Sequence, residues 1–223
     1  MEKIYKYIED HVTPQGEVLD WVEKQTHIRT NHARMLSGKL QGELLRILIQ
    51  ISGAKRILEL GTFTGYSAIC LGTHLPEDGR LDTLELNDEL EDLILEGFER
   101  AGLEDRIHLH IGDCKETLLR LRSEMGLVEG GELQAEKLYD IVYIDANKRE
   151  YCEYYDLVFE MIRPGGLILA DNVLWDGKVC QDPLPQDKQT VGIARFNDMV
   201  SADPRVESVI LPLRDGLNVI RKK

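Results

Sequence analysis

The chain has 223 residues, 43% of them hydrophobic, which is ample for a sizeable continuous core. Forty acids against 27 Lys and Arg give a formal net charge of −13, which argues against a broad electrostatic grip on nucleic acid or on an anionic membrane. Cys70, Cys114, Cys152 and Cys180 lie far apart without a C-x-x-C, so neither a zinc site nor a disulfide framework is indicated; with no apolar signal region and no stretch of about 18 uninterrupted apolar residues, a cytoplasmic protein that does not enter membranes is expected.

Residues 1 to about 52 read as helical: Ile4, Tyr7 and Ile8, then Leu40, Leu44, Leu45 and Leu48, recur at three- and four-residue spacing, with a break at Thr13-Pro14. The middle of this extension, QTHIRTNHARMLSG, is polar and basic, with His27, Arg29, His32, Arg34 and Lys39 close in sequence. It reads as a surface loop or helix, or else as a lid, dimer contact or substrate-binding edge.

From Arg56 onward strands and helices alternate: a strand over 56–60 and a helix from about 65; a strand over 81–86 and a helix Asp88–Ala101; a strand over 107–112 and a helix from about 115 to 125. Such alternation predicts a parallel sheet covered on both faces. The charged segment 122–137, containing Gly126, Gly130 and Gly131, reads as a helix end and an exposed loop. Strand four, Tyr139–Ile144, precedes a helix Arg149–Ile162, and Arg163-Pro164-Gly165-Gly166 turns into strand five, Leu167–Ala170. A polar loop over 176–189, a helix from about Thr190 to Ser201, and strands Val206–Leu213 and Leu217–Arg221 joined through Asp215-Gly216 close the chain. The expected fold is α/β and doubly wound: one domain over 1–223, with a helical extension (1–52) and a core (53–223) whose seven-stranded, mostly parallel, Rossmann-like sheet ends in an antiparallel hairpin.

Two groups of residues carry chemistry. The first is RILELGTFTGYS, Arg56 to Ser67, a buried strand that breaks into two glycines four residues apart. Gly61 and Gly65 permit backbone angles and close approaches that a side chain forbids, so a ligand can lie against the backbone. Glu59 beside this turn would repel a pyrophosphate, and G-x-x-x-G is not the G-x-G-x-x-G of dinucleotide sites, so a cationic or neutral ligand is expected. Glu85 stands 24 residues after Gly61 at the end of the next strand, where it can accept both hydrogen bonds of a ribose diol.

The second group sits where strands four and five end, at Asp145 and at Asp171-Asn172. Two carboxylates and an amide oxygen suit a hard cation, Mg²⁺ first, with Mn²⁺ or Ca²⁺ as alternatives. Lys148, three residues after Asp145, can reach the same mouth; neighbouring positive charge favours its neutral form and makes it a candidate general base. Trp175 and Asp176 either wall the pocket or pack a loop, and His108 and His110, mid-strand, read as structural.

These motifs, Leu58 to Ser67, Ile144-Asp145-Ala146-Asn147-Lys148 and Asp171-Asn172-Val173-Leu174-Trp175, resemble the signatures of the cation-dependent class I O-methyltransferases, the caffeoyl-CoA and catechol O-methyltransferase group. The resemblance extends from about Met35 to the C-terminus, including Phe196-Asn197-Asp198, Asp203-Pro204-Arg205 and Arg214 to Lys222. It implies S-adenosylmethionine in the glycine turn, with Glu59 and Gly61 near its amino acid end, Thr62 and Ser67 lining the pocket, Glu85 on the ribose, Ser37 and Asp145 also on the cofactor side, and Cys114 beside the adenine. It further implies Asp145, Asp171 and Asn172 as metal ligands, Lys148 with Asp145 as the catalytic pair, a catechol-like phenol as acceptor, and a homodimer. A tRNA hydroxyuridine is the alternative acceptor; the acidic total argues against it, while Arg29, Arg34 and Lys39 keep it open. Asn147 departs from the acid of the plant members, the 122–138 loop is longer, and the N-terminal segment differs from the plant pattern, which puts coenzyme A thioester specificity in doubt.

Overall fold

The computed structural model describes residues 2–128 and 131–223. Among them seven strands, β1 (Arg56–Leu60), β2 (Arg80–Glu85), β3 (Ile107–Ile111), β4 (Tyr139–Ile144), β5 (Ile162–Asp171), β6 (Val206–Leu211) and β7 (Leu217–Lys222), form one sheet in the order β3-β2-β1-β4-β5-β7-β6. The helices are α1 (Glu2–Asp10), α2 (Glu17–Arg29), α3 (Gly38–Ser52), α4 (Tyr66–Gly72), α5 (Glu91–Ala101), α6 (Cys114–Glu124), α7 (Tyr151–Phe159) and α8 (Lys188–Ala202). The doubly wound order, the antiparallel closing pair and the helical extension all match expectation. No helix among the described residues is long and apolar enough to cross a membrane.

By contact density the chain falls into two compact units, one made of residues up to Lys55 with Thr62–Ile111, the other of Arg56–Gly61 with Gly112–Lys223. In the first, β2 and β3 pair in parallel, and Leu45, Ile49, Ile69, Leu84, Ile94 and Phe98 are buried. The extension is part of this core: α2 packs against α4 and α5. Thr26 Oγ1 donates to Val22 O (2.7 Å), which leaves it to accept from Thr64 Oγ1, 2.8 Å away in the glycine-rich turn. The basic stretch is partly spent on such contacts, since Arg29 bonds Glu96 (3.2 Å) and Gln25 (2.9 Å), and Lys39 Nζ donates to Glu9 O (2.9 Å).

In the second unit β1, β4 and β5 run parallel, and β7 lies antiparallel to both β5 and β6. Strands covered on both faces need apolar residues at every position, and Ile141 to Ile144 and Ile168 to Ala170 are all fully buried. Several boundaries differ from the sequence reading, among them the strand expected over Val206–Leu213, which ends at Leu211. The helix expected over Arg149–Ile162 ends at Phe159, because Ile162 is taken into the sheet opposite Tyr139. The expected turn at 163–166 is a bulge inside β5: pairing passes from Tyr139↔Ile162 directly to Ile141↔Leu167, and Pro164, which has no N–H, sits in the skipped residues beside Gly165 at φ +77°. The 122–137 segment is a helix end and loop, with a 3-10 turn at Ala135–Lys137; Gly130 lies outside the described residues.

Candidate active site

The glycine turn is held largely through its own backbone groups. Gly61 has φ +96°, and a Cβ there would fall 2.2 Å from Asp145 O, where the backbone leaving β4 passes and Asp145 N donates to Leu60 O (2.8 Å). Further along, Thr62 N donates to Leu84 O (3.1 Å), Thr62 Oγ1 meets Thr83 Oγ1 (2.6 Å), and Gly65 N closes the turn on Thr62 O (3.0 Å). Phe63, in the left-handed region at φ +51°, donates its N–H to Glu85 Oε2 (2.7 Å), and Asn87 N donates to Glu85 Oε1 (2.8 Å). Two amides thus fix the Glu85 carboxylate while a lone pair on each oxygen stays open, the acceptor geometry a ribose diol requires.

The other expected cofactor residues occupy defined places. Ser37 is buried just ahead of α3, Ser67 is buried in the first turn of α4, and Glu59 is wholly buried in β1 opposite Tyr143. Cys114 opens α6 behind Asp113, whose side chain accepts from Lys115 N and Glu116 N as an N-cap.

The ends of β4 and β5 are held by side chains instead. Register places Ile144 beside Ala170, so Asp145 and Asp171 follow on neighbouring strands. Lys148 Nζ donates to Asp145 Oδ1 (2.6 Å) and to Tyr151 Oη (2.6 Å). Tyr151 Oη lies 3.0 Å from both Ile144 O and Asp171 O, and Tyr143 Oη donates to Asp171 Oδ2 (3.1 Å). Asn172 donates its N–H to Asp171 Oδ1 (2.8 Å) and is itself left-handed, φ +57°. The strained loop that follows, with Trp175 at φ +48° and Asp176 at φ +54°, docks on the β6–β7 connection through Val173 N to Gly216 O (3.1 Å) and Leu174 N to Asp215 O (2.9 Å). From α8, Asn197 Nδ2 holds Val173 O (2.8 Å). The indole N–H of Trp175 is buried with no hydrogen-bond partner.

The electrostatics of this edge are strained. Burial pushes the Asp145 carboxyl up to about 6; the Lys148 ammonium pulls it down and the Asp171 charge pushes it up again. Burial, then the charges of Asp145 and Asp171, raise the Tyr151 phenol well above its ordinary range, so it stays protonated. Among the described residues no group of three or more His, Cys, Asp or Glu forms a metal site; this edge offers two carboxylates and an amide. Two carboxylates that repel each other, Asp171 buried and Asp145 half-buried, with Asn172 next in chain, fit a hard divalent cation, whose charge would relieve that repulsion.

His110 donates from Nε2 toward Asp82 Oδ1 (2.9 Å) within the first unit, in keeping with a structural role. Tyr143, Tyr151 and Asn197 were not among the sequence candidates. Tyr151 had a signal, one helical turn after Lys148, and Tyr143 another, two residues before Asp145 on the same strand face; the contact of Asn197 depends on the tertiary packing of α8.

The family model described as O-methyltransferase matches residues 9–223. A catechol O-methyltransferase from Niastella koreensis is 38% identical over 173 residues, covering 78% of this chain and 73% of that protein. A caffeoyl-CoA O-methyltransferase from Populus trichocarpa is 32% identical over 190 residues, 82% of this chain and 72% of that one. The crystal structure of an O-methyltransferase from Bacillus cereus in complex with SAH superposes with a TM-score of 0.84 at 30% identity, covering 99% of this chain and 97% of that one.

Proposed function

The chain belongs to the S-adenosylmethionine-dependent class I O-methyltransferases, and from that premise we propose that it methylates one hydroxyl of a catechol-like small molecule with the help of a bound divalent cation. The observation that carries this reading is the Lys148–Asp145 contact of 2.6 Å beside Asp171-Asn172: a cationic side chain, two carboxylates and an amide at adjoining strand ends. Ser37, Glu59, Gly61, Thr62, Ser67, Glu85, Cys114 and Asp145 are proposed to hold S-adenosylmethionine, and Asp145, Asp171 and Asn172 the cation. When bound, the cofactor supplies an electrophilic methyl carbon and the cation supplies positive charge that acidifies a vicinal diol.

The protein's own contribution is to position and to move one proton. Lys148 takes the proton of the acceptor hydroxyl at Nζ, and the oxygen so freed is the nucleophile. Asp145 keeps Nζ at the strand end, while the Tyr143 hydroxyl and the Asn172 amide fix the orientation of the Asp171 carboxylate. Holding the acceptor hydroxyl against Lys148 would lower the entropic part of the barrier.

A homodimer is part of the proposal, supported by exposed apolar side chains on α1 and α3, among them Tyr7, Ile47 and Ile51. A cytoplasmic site of action is proposed with it. The test is methyl transfer from labelled S-adenosylmethionine to a catechol panel and to hydroxyuridine-containing tRNA, each with Mg²⁺ and with EDTA. Label on a catechol only when the ion is present is the expected result. Label on tRNA with catechols inert would replace the substrate class, and transfer undiminished by EDTA would remove the cation.

A further inference from the structure

We propose that Tyr151 is a positioning residue that aims the Lys148 amine at the acceptor hydroxyl; the inference rests on Lys148 being the base and adds the element that orients it. An ammonium has three N–H bonds, and two of those on Lys148 are committed, to Asp145 Oδ1 and to Tyr151 Oη, each at 2.6 Å. Two fixed contacts define the tetrahedron about Nζ, so only one direction is left for the group that exchanges a proton.

The phenol can perform this task because of what else it touches. Tyr151 has one hydroxyl proton and two backbone carbonyls within reach, Ile144 O and Asp171 O, each at 3.0 Å. Its proton therefore goes to a carbonyl, and it faces Lys148 with a lone pair, as acceptor. Those carbonyls belong to the last residue of β4 and the last residue of β5, so the one hydroxyl stands between the two strand ends that carry the acids and gives its single proton to that side, away from Lys148. The ring is wholly buried and packs edge-on against Phe196, centroids 5.4 Å apart, while the oxygen itself is held by the carbonyls and by Lys148. Without that oxygen, Lys148 keeps only its side-chain bond to Asp145, settles fully on that carboxylate, and competes there with any cation.

Tyr151→Phe preserves the ring and deletes the hydroxyl. The full chain and its Tyr151→Phe, Lys148→Met and double variants are compared with catechol as acceptor, labelled S-adenosylmethionine and Mg²⁺. Calorimetric titration of Mg²⁺ without acceptor is run in parallel, and Phe196→Leu serves as a packing control. Support of a ligand by its outer partner is worth about 10–100-fold, so Tyr151→Phe should lower kcat by that factor and weaken Mg²⁺ binding. The KM for S-adenosylmethionine should stay within about 2-fold, since only the base side is disturbed. In the Lys148→Met background the same change should alter neither kcat nor Mg²⁺ affinity by more than about 2-fold, because coupled residues do not add. Phe196→Leu should lower the melting temperature while turnover and Mg²⁺ affinity hold.

Equal losses from Tyr151→Phe with and without Lys148, or losses matched by Phe196→Leu, would show a role in packing alone and overturn the proposal. Wild-type turnover and Mg²⁺ affinity in Tyr151→Phe, with Lys148→Met inactive, would overturn the positioning role and leave the base intact. Wild-type turnover in Lys148→Met would overturn the base assignment itself.

Discussion

The glycine turn after β1 and the paired ends of β4 and β5 are built by opposite means. In the turn, the N–H groups of Thr62, Phe63 and Gly65 make most of the contacts, with the Thr62 and Thr64 hydroxyls adding one each, and Gly61 serves by lacking a side chain. At the strand ends, Lys148, Asp145, Tyr151, Tyr143 and Asp171 hold one another through named functional atoms. A backbone cradle is selective by shape, whereas a side-chain cluster is selective by charge and by proton count. Added bulk should therefore damage the first, and changes that conserve bulk but alter one atom should damage the second.

The largest effect is expected where a single atom type is removed at nearly constant volume. Lys148→Met should lower kcat by about 10²–10⁴-fold, the range of a positioned base, while S-adenosylmethionine binding measured by calorimetry holds. Its fold should survive, because the deserted Asp145 can take up a proton more readily than an ordinary carboxyl. Weakened cofactor binding in this variant would break the comparison, for it would mean that the two regions act as one.

The converse substitution is Gly61→Ala, one methyl group with no charge. It meets Asp145 O at 2.2 Å and demands φ +96° of an L residue, and backbone oxygen cannot swing away as a side chain can. A loss of about 1–3 kcal/mol is expected from the strained dihedral alone, read as a fall of several degrees in melting temperature. Gly65→Ala, at φ +85° but against the edge of the Phe98 ring at 3.1 Å, should cost less because a ring can shift. Equal costs at the two positions would show that dihedral strain, not the approach of the β4 backbone, governs the turn.

Much of this was legible in sequence. Alternating apolar runs specify the strands, and residues such as Asp145 and Asp171, which follow directly on a buried run, declare themselves as strand ends. Local spacing also explains why Lys148 could be singled out. What stayed hidden were contacts fixed by packing between distant segments: Asn197 on α8 holding Val173 O, and the hydroxyl of Tyr151 lying within reach of two strand ends. The bulge at Pro164 was hidden for a related reason, since Pro-Gly-Gly reads as a turn and only the pairing of Ile162 with Tyr139 extends the strand past it.

Acid should separate charge from shape within the fold. Burial alone would raise the Asp82 carboxyl, but hydrogen bonds and charge from His110 and Arg80 bring it down to about 2. A lowered carboxyl stabilises the fold above its unfolded value and loses that contribution as pH falls through the folded one. Between about pH 4 and pH 2, then, roughly 2 kcal/mol should be lost, and Asp82→Asn should flatten that part of the denaturation profile. Asp145 is raised, so its sign is opposite: protonation on going down through about 6 stabilises the metal-free fold while neutralising the partner of Lys148. Stability of the metal-free protein that falls, rather than rises, between pH 6 and pH 4 would contradict the burial of Asp145.

The smallest change tests the residue by which this chain departs from the plant pattern. Asn147 Oδ1 accepts from Arg149 N (3.3 Å), capping the 3-10 turn that carries Lys148, and its Nδ2 donates to Glu150 Oε2 (3.2 Å). Glu150 also receives Lys115 Nζ (2.7 Å) and Tyr154 Oη (2.7 Å), and these contacts, Lys115 first, hold its carboxyl below the usual range. Asn147→Asp keeps the capping oxygen but replaces a donor toward Glu150 with a second negative charge. The site is exposed, so the cost should be below about 1 kcal/mol and should shrink in about 0.5 M salt. By the same reasoning the KM for S-adenosylmethionine should move by less than about 5-fold, because the amide is occupied in supporting the Lys148 turn. A larger, salt-insensitive change in KM would place the cofactor against residue 147, and the strand-end cluster would then be reading the cofactor through charge as well as through the backbone of the glycine turn.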